Sequence, residues 1–259
     1  MQQSMYSALF GAMTQEHRLD IIANNLANAN TVGYKTNRMS FKDTFIRYAH
    51  DNIREPLFHL KSAPLFPEPD YLVKPRIAVS QVDFSQGSFK RSDNPLDLGI
   101  AGEGFFKIRT RTGDYYSRNG NFHVTAQGLV ANGSGDFLLG EGGPVAVPPN
   151  GDIVINAGGE IYVDNEQVGR INLVTVSDLN ALEKLGNNLF RLREGSNAGE
   201  QPAEEAELKQ GFLEVPNVEV VNEMVNMIEA QRAFEAYSKV FHMTQEADLK
   251  VIGQVGTTR

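Results

Sequence analysis

Cysteine is absent from all 259 residues, which excludes disulfides, thiolate metal sites, thiol nucleophiles and thiol redox chemistry together. Tryptophan is absent as well. Basic residues are the minority, 24 against 32 acidic ones, and the net charge of −8 argues against nucleic acid or anionic lipid as the main partner. No stretch approaches the ~18–20 uncharged apolar residues of a membrane-spanning helix. Met1 to Met13 holds no lysine or arginine, so the basic-then-apolar layout of a cleaved signal is missing, and the mature chain is expected to begin near Met1. What is there is 41% hydrophobic and 22% charged residues. That composition fits an acidic globular protein of one large or two modest domains.

Glycine and proline are unevenly spread. Residues 12–32 and 217–252 contain neither. Fourteen of the 24 glycines lie between Gly99 and Gly159, and five of the 11 prolines lie between Pro56 and Pro75. Because these residues break helices and shape turns, the order reads as helix, extended linker, strand-rich middle, helix.

The first segment predicts a helix from Ser4 to Leu26. Met5, Leu9, Ala12, Leu19, Ala23 and Leu26 follow a 4-3-4-3 repeat with Glu16 in the missing place, and Ile22 widens the stripe. Asn24, Asn25, Asn28 and Asn30 crowd its end, and Gly33 suits the left-handed conformation that stops a helix. The amides read either as an ordinary cap or as a surface in which Asn24 and Asn28, one turn apart, bond a neighbouring chain. The last segment predicts a helix running from an Asn217 N-cap to Ile252, about 54 Å long at ~1.5 Å per residue. Val221, Val225 and Ile228 form one apolar stripe. Met227, Ala230, Phe234, Tyr237 and Phe241 form a second, and two stripes ask for two partners or for burial all round.

The middle reads as β structure. Asn119-Gly120, Asn132-Gly133 and Asn150-Gly151 are hairpin signals, and short β-prone runs begin at Gly104, Asp114, Asn121, Asp152 and Glu160. Gly169 to Val176 is the clearest alternating strand, and Gly195 to Glu207 reads as a solvated acidic loop. Regular spacing favours a small sandwich or barrel-like unit.

Motifs of catalysis are missing. His17, His50, His59, His123 and His242 show no ligand spacing, Gly133-Ser134-Gly135 falls short of a nucleophile elbow, and no phosphate loop or dinucleotide fingerprint occurs. No catalytic, cofactor-binding or metal residue is therefore expected. A carboxylate pair of a glycosidase stays open, since its members need not be close in sequence.

Four blocks carry a resemblance. Ala23 to Lys35, reading ANNLANANTVGYK, closely resembles the N-terminal motif of the bacterial flagellar rod and hook proteins. Glu214 to Lys239, with Met-Ile-x-Ala-Gln-Arg-Ala at Met227 to Ala233, is similar to their C-terminal motif. Gln86 to Phe106, through Asn94, Pro95, Leu96 and Asp97 to Gly102, Gly104, Phe105 and Phe106, resembles their central motif, and Tyr116 to Phe122 a fourth. Two further stretches, Gly140 to Val145 and Leu182 to Phe190, look more like the proximal-rod (FlgF) branch than the distal-rod (FlgG) branch. Pro216 and the Pro56–Pro75 stretch depart from the usual pattern.

The resemblance implies an α+β fold with paired, coiled-coil-like terminal helices and a central antiparallel β-rich domain. It implies a terminal helical assembly domain (residues 1–35 and 215–259), an extended linker (36–75) and a β-rich outer domain (76–214). The assembly residues it marks are Asn24, Asn25, Leu26, Asn28, Thr31, Gly33, Tyr34 and Lys35 at one end. At the other they are Asn217, Val218, Val221, Met224, Val225, Met227, Ile228, Gln231, Arg232, Phe234 and Tyr237; Gln231 and Arg232 with Asn24 and Asn28 are the expected register-fixing polar contacts, a solvated Arg232 being the alternative. The implied function is a subunit of the periplasmic flagellar rod, a rigid shaft that transmits torque, with no cofactor. The implied partners are its own copies, other axial rod and hook proteins and the type III export apparatus, with no nucleic acid and no membrane insertion. A distal-rod or hook-like subunit is the alternative within the family; a secreted β-rich glycosidase or a self-assembling adhesin are those outside it.

Overall fold

The computed structural model describes residues 2–47, 71–148, 151–203 and 205–256. The chain divides into two compact units. One comprises Met1–Asn24, Arg38–Gln81 and Val221–Arg259, the other Asn25–Asn37 with Val82–Val220. The architecture is α+β, with a helix near each terminus and antiparallel strands between.

In the first unit, α1 spans Gln2–Ala27 and α2 spans Val220–Gly256, about 39 Å and 55 Å at ~1.5 Å per residue. The strands Asn37–Arg47 and Tyr71–Val82 pair with each other, at the two ends of the stretch expected to be linker. The proline-rich middle of that stretch lies outside the described residues. Of the expected α1 stripe, only Ile22, the residue that widens it, is buried, at 5% exposed. Leu9 is 41% exposed and Ala23 is exposed, whereas Ala8, Gly11 and Thr14, one position round the helix, are buried. Small side chains let a neighbour approach closely. A Cβ on Gly11 would lie 2.5 Å from the Tyr237 ring of α2, so Leu9, Phe10 and Met13 around it are left on the flank.

In the second unit every pairing with a defined register is antiparallel. A ten-stranded sheet centres on Phe105–Thr110, which pairs with Gly113–Ser117, Phe137–Gly140 and Leu173–Val176. Successive strand residues point to opposite faces, and the adjacent pair Phe105 and Phe106 supplies one ring to each of two cores. Phe106 joins Leu98, Ile100, Ile108, Phe122 and Leu138; Phe105 joins Tyr116, Val174, Val176, Leu182 and Phe190. The Phe106–Phe122 rings sit edge-on at 5.2 Å and Phe105–Phe190 at 6.0 Å.

Several local expectations need correcting. The single strand at Gly169–Val176 is two: Glu166–Arg170 closes a three-stranded sheet, and Leu173–Val176 enters the large one. The chain changes sheet at Ile171 and Asn172: the Ile171 N–H still donates to the Gly159 carbonyl, whereas the Asn172 N–H donates to that of Leu139, opposite which Ile171 bridges Gly140. The Gly195–Glu207 loop contains a strand, Glu200–Pro202, which pairs with Leu173–Val176 in the large sheet, and Glu200 accepts from Lys107 Nζ and the Tyr116 hydroxyl of that same sheet. Asn132-Gly133 does lie in a hairpin, but Asn119-Gly120 joins strands that pair elsewhere, and Asn150 lies outside the described residues. The tight two-residue turns fall instead at Asp164-Asn165 (φ 52° and 70°) and Asn187-Asn188 (φ 49° and 58°). Both central residues of each are left-handed, the geometry of a type I′ turn, which asparagine and aspartate tolerate.

Gly120 is fixed by close approach. Its carbonyl accepts from the Leu98 N–H at 2.9 Å, and an added Cβ would lie 1.6 Å from the Leu98 carbonyl oxygen. Backbone cannot swing aside as a flexible side chain does. Gly120→Ala is therefore expected to destabilise this unit by about 3 kcal/mol. A urea midpoint unchanged by circular dichroism would refute the clash.

Candidate functional site

The candidate site is the pair of helical segments in the first unit; the residues from which they extend, in the β unit, form a separate arrangement. On α2 the two apolar stripes have different fates. Ala230 is fully buried, with Met227, Phe234 and Phe241 half-buried along the same side. Val221, Met224, Val225 and Ile228 are 74%, 49%, 51% and 53% exposed, and Gln231, Arg232 and Tyr237 are exposed too. The steps of three and four put Val221, Val225 and Ile228 on one face of the helix. Further along, Val240, Met243 and Leu249 stay exposed; on α1 so do Tyr6, Leu9, Phe10 and Met13. Large apolar groups left in water over several turns mark a surface that meets another molecule.

The expected N-cap of α2 is not one. The helix begins at Val220, and Asn217 works as a tie instead. Its side-chain oxygen accepts from the Thr36 N–H (2.8 Å) and hydroxyl (2.7 Å), and its amide donates to the carbonyls of Asp83 (2.8 Å) and Ser85 (3.2 Å). With the amide also donating to the Ser85 hydroxyl at 3.0 Å, five hydrogen bonds outside a helix outcompete one at its end. Val218, one residue on, is half-buried.

The asparagine motif resolves in the same way. Asn25 is 1% exposed: its amide donates to the Asn37 carbonyl, and its oxygen accepts from the Asn37 N–H and the Tyr34 hydroxyl. Asn28 accepts from the Thr31 hydroxyl at 3.3 Å, while Asn24 is exposed and Leu26 half-buried. Gly33 is left-handed as expected (φ 68°), and its N–H donates to the Glu214 carbonyl at 2.9 Å. A Cβ there would lie 2.5 Å from the backbone at Arg118 and Asn119.

Beside Gly33 sits a buried charge cluster. Glu214, 1% exposed, accepts from Lys35 Nζ at 2.7 Å, from the Gly87 N–H at 2.9 Å and from Arg118 Nη1 at 3.5 Å. Lys35 also donates to the Ser85 carbonyl and Arg118 to that of Gly102, both at 2.8 Å, and the Arg118 guanidinium lies 5.3 Å from the centre of the Phe105 ring. Burial draws both cations below their ordinary pKa values, and the Glu214 carboxylate opposes it.

The central motif is structural in geometry. Asp97, 3% exposed, accepts from the Ser92 hydroxyl and the amides of Asn94 and Asn121; Leu96 is core, and the Pro95 carbonyl accepts from Gln210. Gly102 is left-handed (φ 96°), and a Cβ on Gly104 would crowd Ala203 and Ala206.

Lys184 completes the surroundings of Tyr34, its ammonium 3.6 Å from the ring centre and donating to the Lys35 carbonyl. Burial lowers its pKa to about 8. The unfolded chain holds that proton up to about pH 10.4, so between these values the unfolded state binds more protons and stability rises with pH. The stability of wild type relative to Lys184→Gln is expected to climb by ~2 kcal/mol from about pH 7.5 to about pH 10 in urea titrations. A flat or falling difference would refute it.

Three family models match the chain in this arrangement. "Flagella basal body rod protein" covers residues 5–35, "Flagellar hook protein FlgE/F/G D1 domain" covers 99–163, and "Flagellar basal body rod FlgEFG protein C-terminal" covers 209–253. The flagellar basal-body rod protein FlgF of Caulobacter vibrioides is 32% identical over 258 residues, 99% of each chain. The chain belongs to the flagellar basal-body rod protein family. FlgG of Bacillus subtilis is 31% identical, covering 95% of this chain and 96% of the relative, and FlgG of Borreliella burgdorferi is 33% identical, covering 92% and 93%.

The N-terminal family match ends at Lys35 and the C-terminal one takes in Glu214, the two partners of the buried ion pair. Sequence reading singled out Lys35 but missed Glu214, Arg118 and Asn188, whose amide donates to the Val32 carbonyl. A signal was present: charged residues inside otherwise uncharged motif stretches, Leu213-Glu214-Val215 and Ser117-Arg118-Asn119.

Proposed function

We propose that this chain is a structural subunit of the flagellar basal-body rod, without catalytic activity or cofactor, and that it polymerises through α1 and α2 into a helical shaft that carries torque from motor to hook. The observation that carries the reading is the row Val221, Met224, Val225 and Ile228, apolar and about half or more exposed on a helix whose opposite side is buried at Ala230 and half-buried at Met227, Phe234 and Phe241. Identical chains meeting through unlike surfaces build a helix when the rotation does not close. The exposed motif residues on the two helices serve that assembly directly, with coiled-coil-like contacts among helices of neighbouring copies, while Asn25, Gly33, Tyr34, Lys35 and Asn217 serve it by anchoring the helices to the β unit. Its partners are its own copies and other axial proteins, and export of the unfolded chain by the type III apparatus brings it to the rod. The terminal segments 1–35 and 215–259 form the assembly part, of which 25–35 and 215–220 fold with the β unit, 36–75 the link and 76–214 the outer β part.

Within the family, FlgF is favoured over FlgG by coverage. The FlgF relative of Caulobacter vibrioides aligns over 99% of both chains, whereas FlgG of the same organism aligns over 92% of this chain and 94% of its own. The test is to locate the labelled protein in purified basal bodies. Signal in the motor-proximal part of the rod is expected; signal beyond it, next to the hook, would make the chain a distal subunit, and none in the rod would overturn the proposal.

A further inference from the structure

We propose that Glu214 is the lock of a preformed clasp, which holds the base of both terminal helices folded in the unassembled chain. The inference concerns the free monomer and does not depend on polymerisation.

The clasp gathers three stretches far apart in sequence: 25–37, 83–88 and 211–217. All of them, with Arg118, lie in one compact unit, while Met1–Asn24 and Val221–Arg259, the outer parts of the two ends, belong to the other. Lys35 and Glu214, 179 positions apart, are each 1% exposed. Around them the backbone is tied at close intervals. Gly33 N–H donates to the Glu214 carbonyl, Val215 N–H to that of Ser88, Asp83 N–H to that of Thr36, and Gly87 N–H to the Glu214 carboxylate. Asn217 bonds Thr36, and Asn25 bonds Asn37. Two glycines record how close the strands run. A Cβ on Gly87 would lie 1.9 Å from the Val215 carbonyl oxygen, and one on Gly33 would meet Arg118 backbone.

One carboxylate serves two buried cations and a backbone N–H. Removing a shared partner from such a cluster leaves buried charge uncompensated, so the cluster holds as a unit or opens as a unit. The helical segments beyond it carry exposed apolar groups on their outward faces, with Tyr6, Leu9, Met13, Val221, Val225 and Ile228 all more than two-fifths exposed. The second half of the N-terminal motif, Asn25 to Lys35, is thereby assigned to the β unit as its fastening, and only the part before it to the helical surface.

Hydrogen exchange on the full-length monomer, read by mass spectrometry, tests this. In wild type, peptides covering 25–37 and 211–217 are expected to exchange about a hundredfold more slowly than peptides covering 5–20 and 235–250. Glu214→Gln keeps the shape and removes the charge. It should speed exchange of the two clasp peptides at least about tenfold while a core peptide over 98–110 stays within about twofold. Lys35→Met, which leaves Glu214 paired with Arg118, is the milder variant and should act on the same peptides if Glu214→Gln does not fold. The proposal is overturned if the wild-type 25–37 peptide exchanges as fast as 5–20. It is equally overturned if both variants keep wild-type protection, or if both lose clasp and core protection together.

Discussion

Replacing Ile228 by aspartate is expected to abolish swimming while leaving the purified protein folded. Ile228 is 53% exposed, so a carboxylate there faces water in the single chain and costs no more than about 0.5 kcal/mol. In an assembled shaft the same position is covered. Burying a charge without a partner costs several kcal/mol, and each ~1.4 kcal/mol lowers an association constant about tenfold. The substitution recurs in every copy, so the defect is multiplied along the polymer. Met224→Asp should behave alike, and Phe234→Asp should also disturb the chain itself, since Phe234 is half-buried. The measurements are swimming in soft agar, basal-body morphology by electron microscopy, and circular dichroism of the purified chain. Normal swimming with the Ile228→Asp protein incorporated in the rod would sink the packing role of this row.

Glu214→Ala is expected to cost about 3–5 kcal/mol of stability in the β unit, a large share of the ~5–15 kcal/mol that holds an ordinary domain. The loss is of a particular kind. Lys35 and Arg118 remain buried with no carboxylate between them, and the Gly87 N–H loses its acceptor. Glu214→Gln, which retains an acceptor oxygen, should lose less. The companion Lys35→Met is expected to be milder still, because Arg118 then has Glu214 to itself and a methionine stem fills the space of the lysine. A double-mutant cycle in urea with Lys35→Met and Glu214→Ala should return a coupling of roughly 1–3 kcal/mol. Losses under about 1 kcal/mol for Glu214→Ala would show that the cluster is solvated or loosely held in solution.

The two experiments separate the roles that sequence motifs conflate. The N-terminal block Ala23 to Lys35 reads as one assembly motif, yet its residues divide. Asn24 is exposed on the helix, whereas Asn25, Gly33, Tyr34 and Lys35 are buried around the base of the β unit. At the C-terminal end Glu214 and Asn217 secure the chain, and the exposed row begins only at Val221.

Helix at both ends, strands between and the family itself were legible in the one-dimensional chain, because each rests on local rules: where glycine and proline fall, which period the apolar residues follow, and blocks of consecutive letters. The left-handed Gly33 and the two stripes of α2 were legible for the same reason. The inward face of α1 was not. Leu9 is larger and greasier than Gly11, but burial there depends on how closely Tyr237 of another helix approaches, and that is a distance between segments more than two hundred residues apart. Nor were the pairing of Lys35 with Glu214, the sheet change at Ile171 or the service of Asn217 as a tie. Each is a contact between remote stretches, and a linear pattern records what a residue prefers, not which distant partner the closed chain brings within hydrogen-bond reach.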